Sequence, residues 1–214
     1  MQDSADSETF DPATLSHEEQ YKLMVGSVVP RPIALVSTLG PHGPNAAPFS
    51  FFNAFGIDPP IIAFSASSRE GVLKDTIRNI RETGEFVVHI VDDALKEKMN
   101  ICAIEYASEV SEIAEAGLRT APSLKVRPPR LIDCPIQMEC KLNQIVLLGR
   151  MPYQMVIGEV VQFHYRKGLV NERMHVNPAL LNPLGRLAGY DGYTRITDRF
   201  PMARLPVPPG KKPA

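Results

Sequence analysis

The sequence predicts an α+β domain built on a β-barrel core. Three observations carry this prediction. About six short segments are β-branched and apolar with turn residues between them, two internal segments show helical spacing, and 214 residues suffice for one domain. No repeat and no linker divides the chain. One domain over residues 17–205 is therefore expected, with a flexible segment 1–16 before it and a flexible Pro/Gly/Lys tail 206–214 after it.

Ser16 followed by Glu19 reads as a capping box, so a first helix starts there and runs to about Met24. Pro30-Arg31-Pro32 enforces extended backbone. Ile33 to Thr38 is a strand, Gly40 to Pro44 a turn, and Asn45 to Ser50 the returning strand of a hairpin. After the breaker Asp58-Pro-Pro60, Ile61 to Ala66 is a third strand. Gly71 to Thr83 carries Leu73, Ile77 and Ile80 at helical spacing, with Gly84 at the C-terminal cap. Glu85 to Val91 is the next strand. Leu95, Met99, Cys102 and Tyr106 then share one face of a further helix, within a stretch rich in acids that reads as a solvated layer. Cys134–Leu148 and Tyr153–Tyr165 are two longer strands around the turn Gly149-Arg-Met-Pro152, and Gly158 marks a bend or a closure point.

Composition narrows the function. With 23 basic against 24 acidic residues the net charge is -1, which gives no global attraction to nucleic acid or to an anionic membrane. The longest apolar runs fall far short of the roughly 20 residues of a membrane helix. The polar, acidic amino terminus lacks the features of a secretory signal, so a cytoplasmic location is expected. Cys102, Cys134 and Cys140 form no C-x-x-C pair and read as buried thiols. Dinucleotide-fold, P-loop, zincin and hydrolase signatures are absent. The five histidines have no ligand spacing, so no metal site is expected, and His89 and His164 read as structural residues of strands.

Two stretches carry chemistry. Ser65-Ala-Ser67-Ser68-Arg69-Glu-Gly71-Val-Leu-Lys74-Asp-Thr76 runs from a strand end into a helix start, where unpaired N–H groups and the helix dipole favour an anion. Arg69 adds a bidentate fork, Lys74 a point charge, and Ser67, Ser68 and Thr76 hydroxyls, so a phosphate monoester fits. The same spacing also fits a solvated serine-rich cap. In the second stretch, Arg31 leads to Ser37-Thr38 and then to Asn45-Ala46-Ala47-Pro-Phe-Ser50. Small Ala46 and Ala47 allow a flat ring to approach the backbone, and Asn45 can pair with an imide edge. A hairpin with small residues at a crowded packing point accounts for that pattern equally well.

The ordered series R-P-I-A-L-V-S-T, N-A-A-P-F-S-F-F, D-P-P-I-I-A-F-S, S-S-R-E-G-V-L-K-D-T, T-G-E-F-V-V-H, I-G-E-V and P-L-G-R-L-A-G-Y-D-G-Y resembles the flavin reductase-like family of FMN-binding split barrels, flavoredoxins included, over about Tyr21 to Arg195. The resemblance implies a six-stranded antiparallel split β-barrel with flanking helices, a homodimer, and FMN near the subunit interface. It implies that Asn45, Ala46, Ala47 and Ser50 lie along the isoalloxazine, and that Ser65, Ser67, Arg69, Lys74 and Thr76 surround the phosphate. Arg31 and the segment from Arg186 to Tyr193 would close the site. With flavin as the reacting group, these residues bind rather than catalyse, and no catalytic side chain is assigned.

One departure stands out. Reductases of this fold resemble one another in a Gly-Asp-His stretch ahead of Ile-Gly-Glu-Val, whereas this chain has Met151-Pro152-Tyr153 ahead of Ile157. Tyr153 either stacks on a nicotinamide or packs in its strand. The function implied is an FMN-containing NAD(P)H:flavin reductase that supplies a partner monooxygenase. The alternatives are a flavoredoxin-like electron carrier and a non-redox barrel used as an interaction module.

Overall fold

A computed structural model describes residues 7–68, 71–151, 153–189 and 191–206. Arg69 and Pro152, both singled out above, lie outside the described residues, as do positions 1–6 and 207–214 of the two terminal segments.

The first helix, α1 (His17–Ser27), starts as expected, with the Ser16 and Glu19 side chains each bonded to the other's backbone N–H, and it runs three residues past Met24. The extended Arg31–Pro32 (β1) leads into the hairpin β2 (Ala34–Gly40) and β3 (Gly43–Phe49). Then come β4 (Phe52–Ile57), β5 (Pro60–Ser67), α2 (Asp75–Thr83) and β6 (Glu85–Ile90). Helix α2 starts four residues later than its periodicity suggests, because Lys74 is still extended, and it ends at Gly84 in the left-handed conformation that glycine adopts without strain.

The helix expected from Leu95 through Tyr106 is shorter. It consists of a 3₁₀ turn at Asp93–Leu95 and α3 (Lys96–Ile101). After Ile101 the backbone tightens: the amides of Ala103 and Ile104 donate to carbonyls three residues back. Ser108 Oγ then donates to Asp75 and accepts from Arg78, which draws the segment towards the start of α2. A one-turn helix, α4 (Glu112–Glu115), follows. The small strands β7 (Thr120–Ala121) and β8 (Arg130–Leu131) precede the long hairpin β9 (Ile136–Leu148) and β10 (Tyr153–Tyr165). Helix α5 (Pro178–Leu181) and strands β11 (Leu184–Arg186) and β12 (Tyr193–Arg195) complete the described chain.

The fold is α+β with a mostly antiparallel sheet. The main sheet has seven strands rather than six, in the order β3-β2-β6-β9-β10-β5-β4, and each pairing is antiparallel. The additional strand is β4. It is mostly exposed, so its sequence lacks the apolar alternation that marks a half-buried strand. Strands β3 and β4 are the two edges, and a small sheet β1-β11-β12 lies apart.

Two apolar cores explain why β2 is apolar without alternation. Ala34 and Val36 face one core with Phe64, Ile77, Phe86 and Val156, while Ile33 and Leu35 face the other with Met99, Cys102 and Ile113. Gly158 sits at a register shift between β10 and β9, where a Cβ would collide with the Phe86 ring. All three cysteines are buried and unpaired, as expected. His89 is structural: its Nε2 accepts from Leu131 N at 2.9 Å, which leaves Nδ1 protonated to donate to Leu35 O at 2.8 Å. His164 Nε2 meets the buried Glu139 carboxylate at 2.7 Å. No described helix is long and apolar enough to cross a membrane.

Candidate functional site

Two clefts flank the stretch from Asn45 to Phe51. The first, of about 390 Å³, lies between β3, the start of α2 and the segment from Cys102 to Glu112. Asn45, Ala47, Lys74 and Thr76 line it. The second, of about 400 Å³, is walled by Arg31, Ser50, Ser65, Phe51, Phe52, Phe55 and Met155. Both volumes suit a small organic ligand.

In the first cleft, Lys74 occupies the N-cap position of α2 with its side chain making no cap bond, so the ammonium and the open first turn of the helix face the same space. Arg78 in the same wall is paired with Asp75 and bonds to the Leu73 carbonyl and Ser108. Asn45 is held from behind. Asn79 Nδ2 donates to Thr38 Oγ1 at 2.9 Å, and Thr38 donates to Asn45 Oδ1 at 2.5 Å. The amide NH₂ is therefore what Asn45 can offer a ligand.

Sequence reasoning missed Glu112. In the sequence it belongs to the acidic stretch that reads as a solvated layer, but α4 packs on β3 and leaves Glu112 only 9% exposed, in the wall of the first cleft. Burial pushes its carboxyl up, and the backbone N–H groups of Glu112 and Ala46 and the Lys74 charge pull it back only in part. Its Oε2 is buried without a hydrogen-bond partner among the described residues. No local signal distinguishes it from its acidic neighbours.

The remaining candidates separate by location. Ser67 ends β5 opposite Tyr153, and Ser68 follows it in the loop. Ser37 is buried and donates to Pro129 O at 2.7 Å, Thr38 is buried behind Asn45, and the Ala46 methyl is in the second core. None of these three side chains lines either cleft. Arg31 is a staple as well as a wall: its guanidinium donates to the carbonyls of Val25 at 2.5 Å, Val28 at 2.9 Å and Leu187 at 3.0 Å, and to Ser50 Oγ at 3.4 Å. Arg186 is its register partner across β1 and β11, donates to Gly189 O and covers the Tyr193 ring at 4.4 Å, outside both clefts. The Tyr153 ring packs against Phe51 with centroids 5.9 Å apart, and burial pushes its phenol up.

Comparison with known proteins identifies the family and the fold. The family described as "Flavin reductase like domain" matches residues 25–184. Nitrilotriacetate monooxygenase component B from Bacillus cereus superposes with a TM-score of 0.89 at 34% identity, over 93% of this chain and 100% of that one. The 2-nitrobenzoate 2-nitroreductase NbaA of Pseudomonas fluorescens gives 0.83 at 38% identity, over 97% and 100%. A flavin reductase with a split barrel domain from Shewanella frigidimarina gives 0.78 at 20% identity, over 94% and 100%, and shares the fold.

Proposed function

The chain belongs to the flavin reductase-like family, and on that premise we propose that it is an FMN-dependent NAD(P)H:flavin reductase whose reduced flavin serves a partner monooxygenase. The observation that carries this reading is the first cleft, where a cation, an open helix start and an oriented amide converge. Such a donor set fits a phosphorylated, hydrogen-bonding ligand better than it fits a solvated cap.

Lys74, Thr76, the first-turn N–H groups of α2 and Arg69 would hold the phosphate. Asn45 and Ala47 would meet the imide side of the ring system, Ser67 and Ser68 would add hydroxyls to the phosphate, and Ser50 and Ser65 line the second cleft. When bound, FMN supplies hydride acceptance and its onward transfer. The protein's own work is positional. Thr38 and Asn79 fix Asn45, and Arg31 clamps the end of α1 and the Leu187 loop over Ser50, which narrows the second cleft. Phe51, Phe52 and Phe55 give that cleft an aromatic wall against which a nicotinamide can lie, and Tyr153 packs on Phe51. Without the histidine of related reductases, nucleotide binding there is weak.

A flavoredoxin-like carrier that retains FMN is the second reading, favoured by the packing of Tyr153 against Phe51. Retention of flavin on dilution separates the two, since a reductase supplying free flavin releases it.

The site is tested by titrating FMN and riboflavin against wild type, Lys74→Ala and Arg69→Ala. Loss of a charged hydrogen bond to the phosphate costs about 1.5–3 kcal/mol, roughly ten- to a hundredfold in affinity. FMN should lose that much and riboflavin almost nothing. Equal losses for both ligands would remove the phosphate from this cleft.

A further inference from the structure

Arg31 is a buried cation without an anion. It is 6% exposed and is the one charged residue in the wall of the second cleft, where no acidic side chain is found among the described residues. Burial lowers the pKa of its guanidinium, Tyr21 opposes that shift and Arg186, a second cation, adds to it, with no carboxylate among the groups that act on it. The guanidinium stays charged at any working pH, and the carbonyls of Val25 and Val28 at the end of α1 offset that charge only in part. A desolvated charge of this kind is costly, and an anion in the cleft relieves the cost.

The polar groups that the wall offers are donors. Ser50 Oγ accepts from Arg31 Nε at 3.4 Å, which leaves the Ser50 O–H to donate. The backbone N–H of Ser65 donates to Phe51 O at 2.8 Å and so holds a second hydroxyl beside the Ser50–Phe51 bend. Both serines line the cleft and are only partly buried. Asn53 Oδ1 accepts from Ala54 N at 2.8 Å, so its NH₂ is the group left for a ligand. Around these donors, Phe51, Phe52, Phe55, Met24 and Met155 make an apolar wall in a space of about 400 Å³. Such a wall suits an aromatic ring, and one unneutralised cation suits one negative charge. We infer that the second cleft binds a small aromatic carboxylate, with its ring against Phe51, Phe52 and Phe55 and its carboxylate at the Ser50 and Ser65 hydroxyls in the field of Arg31. This site does not rest on a flavin in the first cleft. A carboxamide on the same ring, as in nicotinamide, gains less there because it brings no charge.

Benzoate, benzamide and acetate separate the charge from the ring. They are titrated calorimetrically at about pH 7, where both acids are ionised, against wild type and Ser50→Ala. The carbonyl bonds of Arg31 to Val25, Val28 and Leu187 do not involve Ser50, so the clamp on α1 outlasts the substitution. Wild type should bind benzoate about tenfold more tightly than benzamide and show no acetate binding at the same concentrations. Ser50→Ala should lose about tenfold in benzoate affinity and much less in benzamide affinity. Equal affinities for benzoate and benzamide, acetate binding as tight as benzoate, or a benzoate affinity untouched by Ser50→Ala would each overturn the site, as would no benzoate binding at millimolar concentration. Methyl NMR of methionine-labelled wild type locates the ligand without a substitution. Benzoate should shift the Met24 and Met155 methyl signals, and shifts confined to other methionines would place the ligand elsewhere and overturn the site. FMN titration tests the first cleft separately, so either site can fail alone.

Discussion

His89 shows how a single buried side chain fixes both a tautomer and a pH response. It accepts the Leu131 amide, donates to the Leu35 carbonyl and so ties β6 to β2 and β8. Burial, which outweighs its bond to Leu35, pushes its pKa down from 6.5 to about 3. The unfolded chain therefore binds a proton that the folded chain refuses. The His89 contribution is fully present above about pH 6.5 and declines by as much as several kcal/mol as pH falls towards about 3. His89→Gln preserves both hydrogen-bond roles without the titration. Melting temperatures measured across this window should fall more steeply for wild type than for the variant, and parallel curves would contradict the assignment. At the same scale, Asn45 was legible as a ligand group from its strand, but its orientation depends on Asn79, 34 residues along the chain in α2. Glu112 was not legible, because what separates it from the other acids is the packing of α4 on β3.

At the scale of elements, Gly158 is where the long strand β10 passes over Phe86, and a methyl group there has no room without moving the ring. Gly158→Ala should cost about 1–3 kcal/mol in denaturant unfolding, as overpacking of a tight core does. A loss near zero would mean that Phe86 shifts freely. This glycine was readable because it interrupts a β-branched run, just as α1 was readable from Ser16 and Glu19 and the end of α2 from Gly84. These signals are local. Strand β4 was not readable, since Phe55 at 67% and Ile57 at 91% exposure place apolar residues on the outside. Nor was the end of α3, where Cys102 and Tyr106 keep helical spacing while the chain turns away to meet Asp75 and Arg78. In both cases the deciding contacts come from other parts of the chain. The two chemistry-bearing stretches are separately legible, but the sequence does not tell that Asn45 and Ala47 of one and Lys74 and Thr76 of the other line the same cleft.

The whole molecule exposes an apolar face around the second cleft: Met24 and Val28 from the end of α1 and its sequel, and Phe55 and Ile57 from the edge strand β4. A two-fold partner that covers this face would bury both the open edge and the mouth of the cleft. Sedimentation should therefore give a dimer at micromolar concentration, with flavin loss weakening association. A monomer with FMN bound would contradict this. The proposed reductase requires electrons to enter a flavin held by these residues, and anaerobic stopped-flow mixing of the FMN-loaded protein with NADH or NADPH tests this most directly. The flavin absorbance should bleach, with saturation only in the upper part of the usual KM range of about 1 μM–1 mM, because Tyr153 stands where related reductases carry histidine. Flavin that stays oxidised at saturating nucleotide, while dithionite reduces it completely, would contradict the reductase.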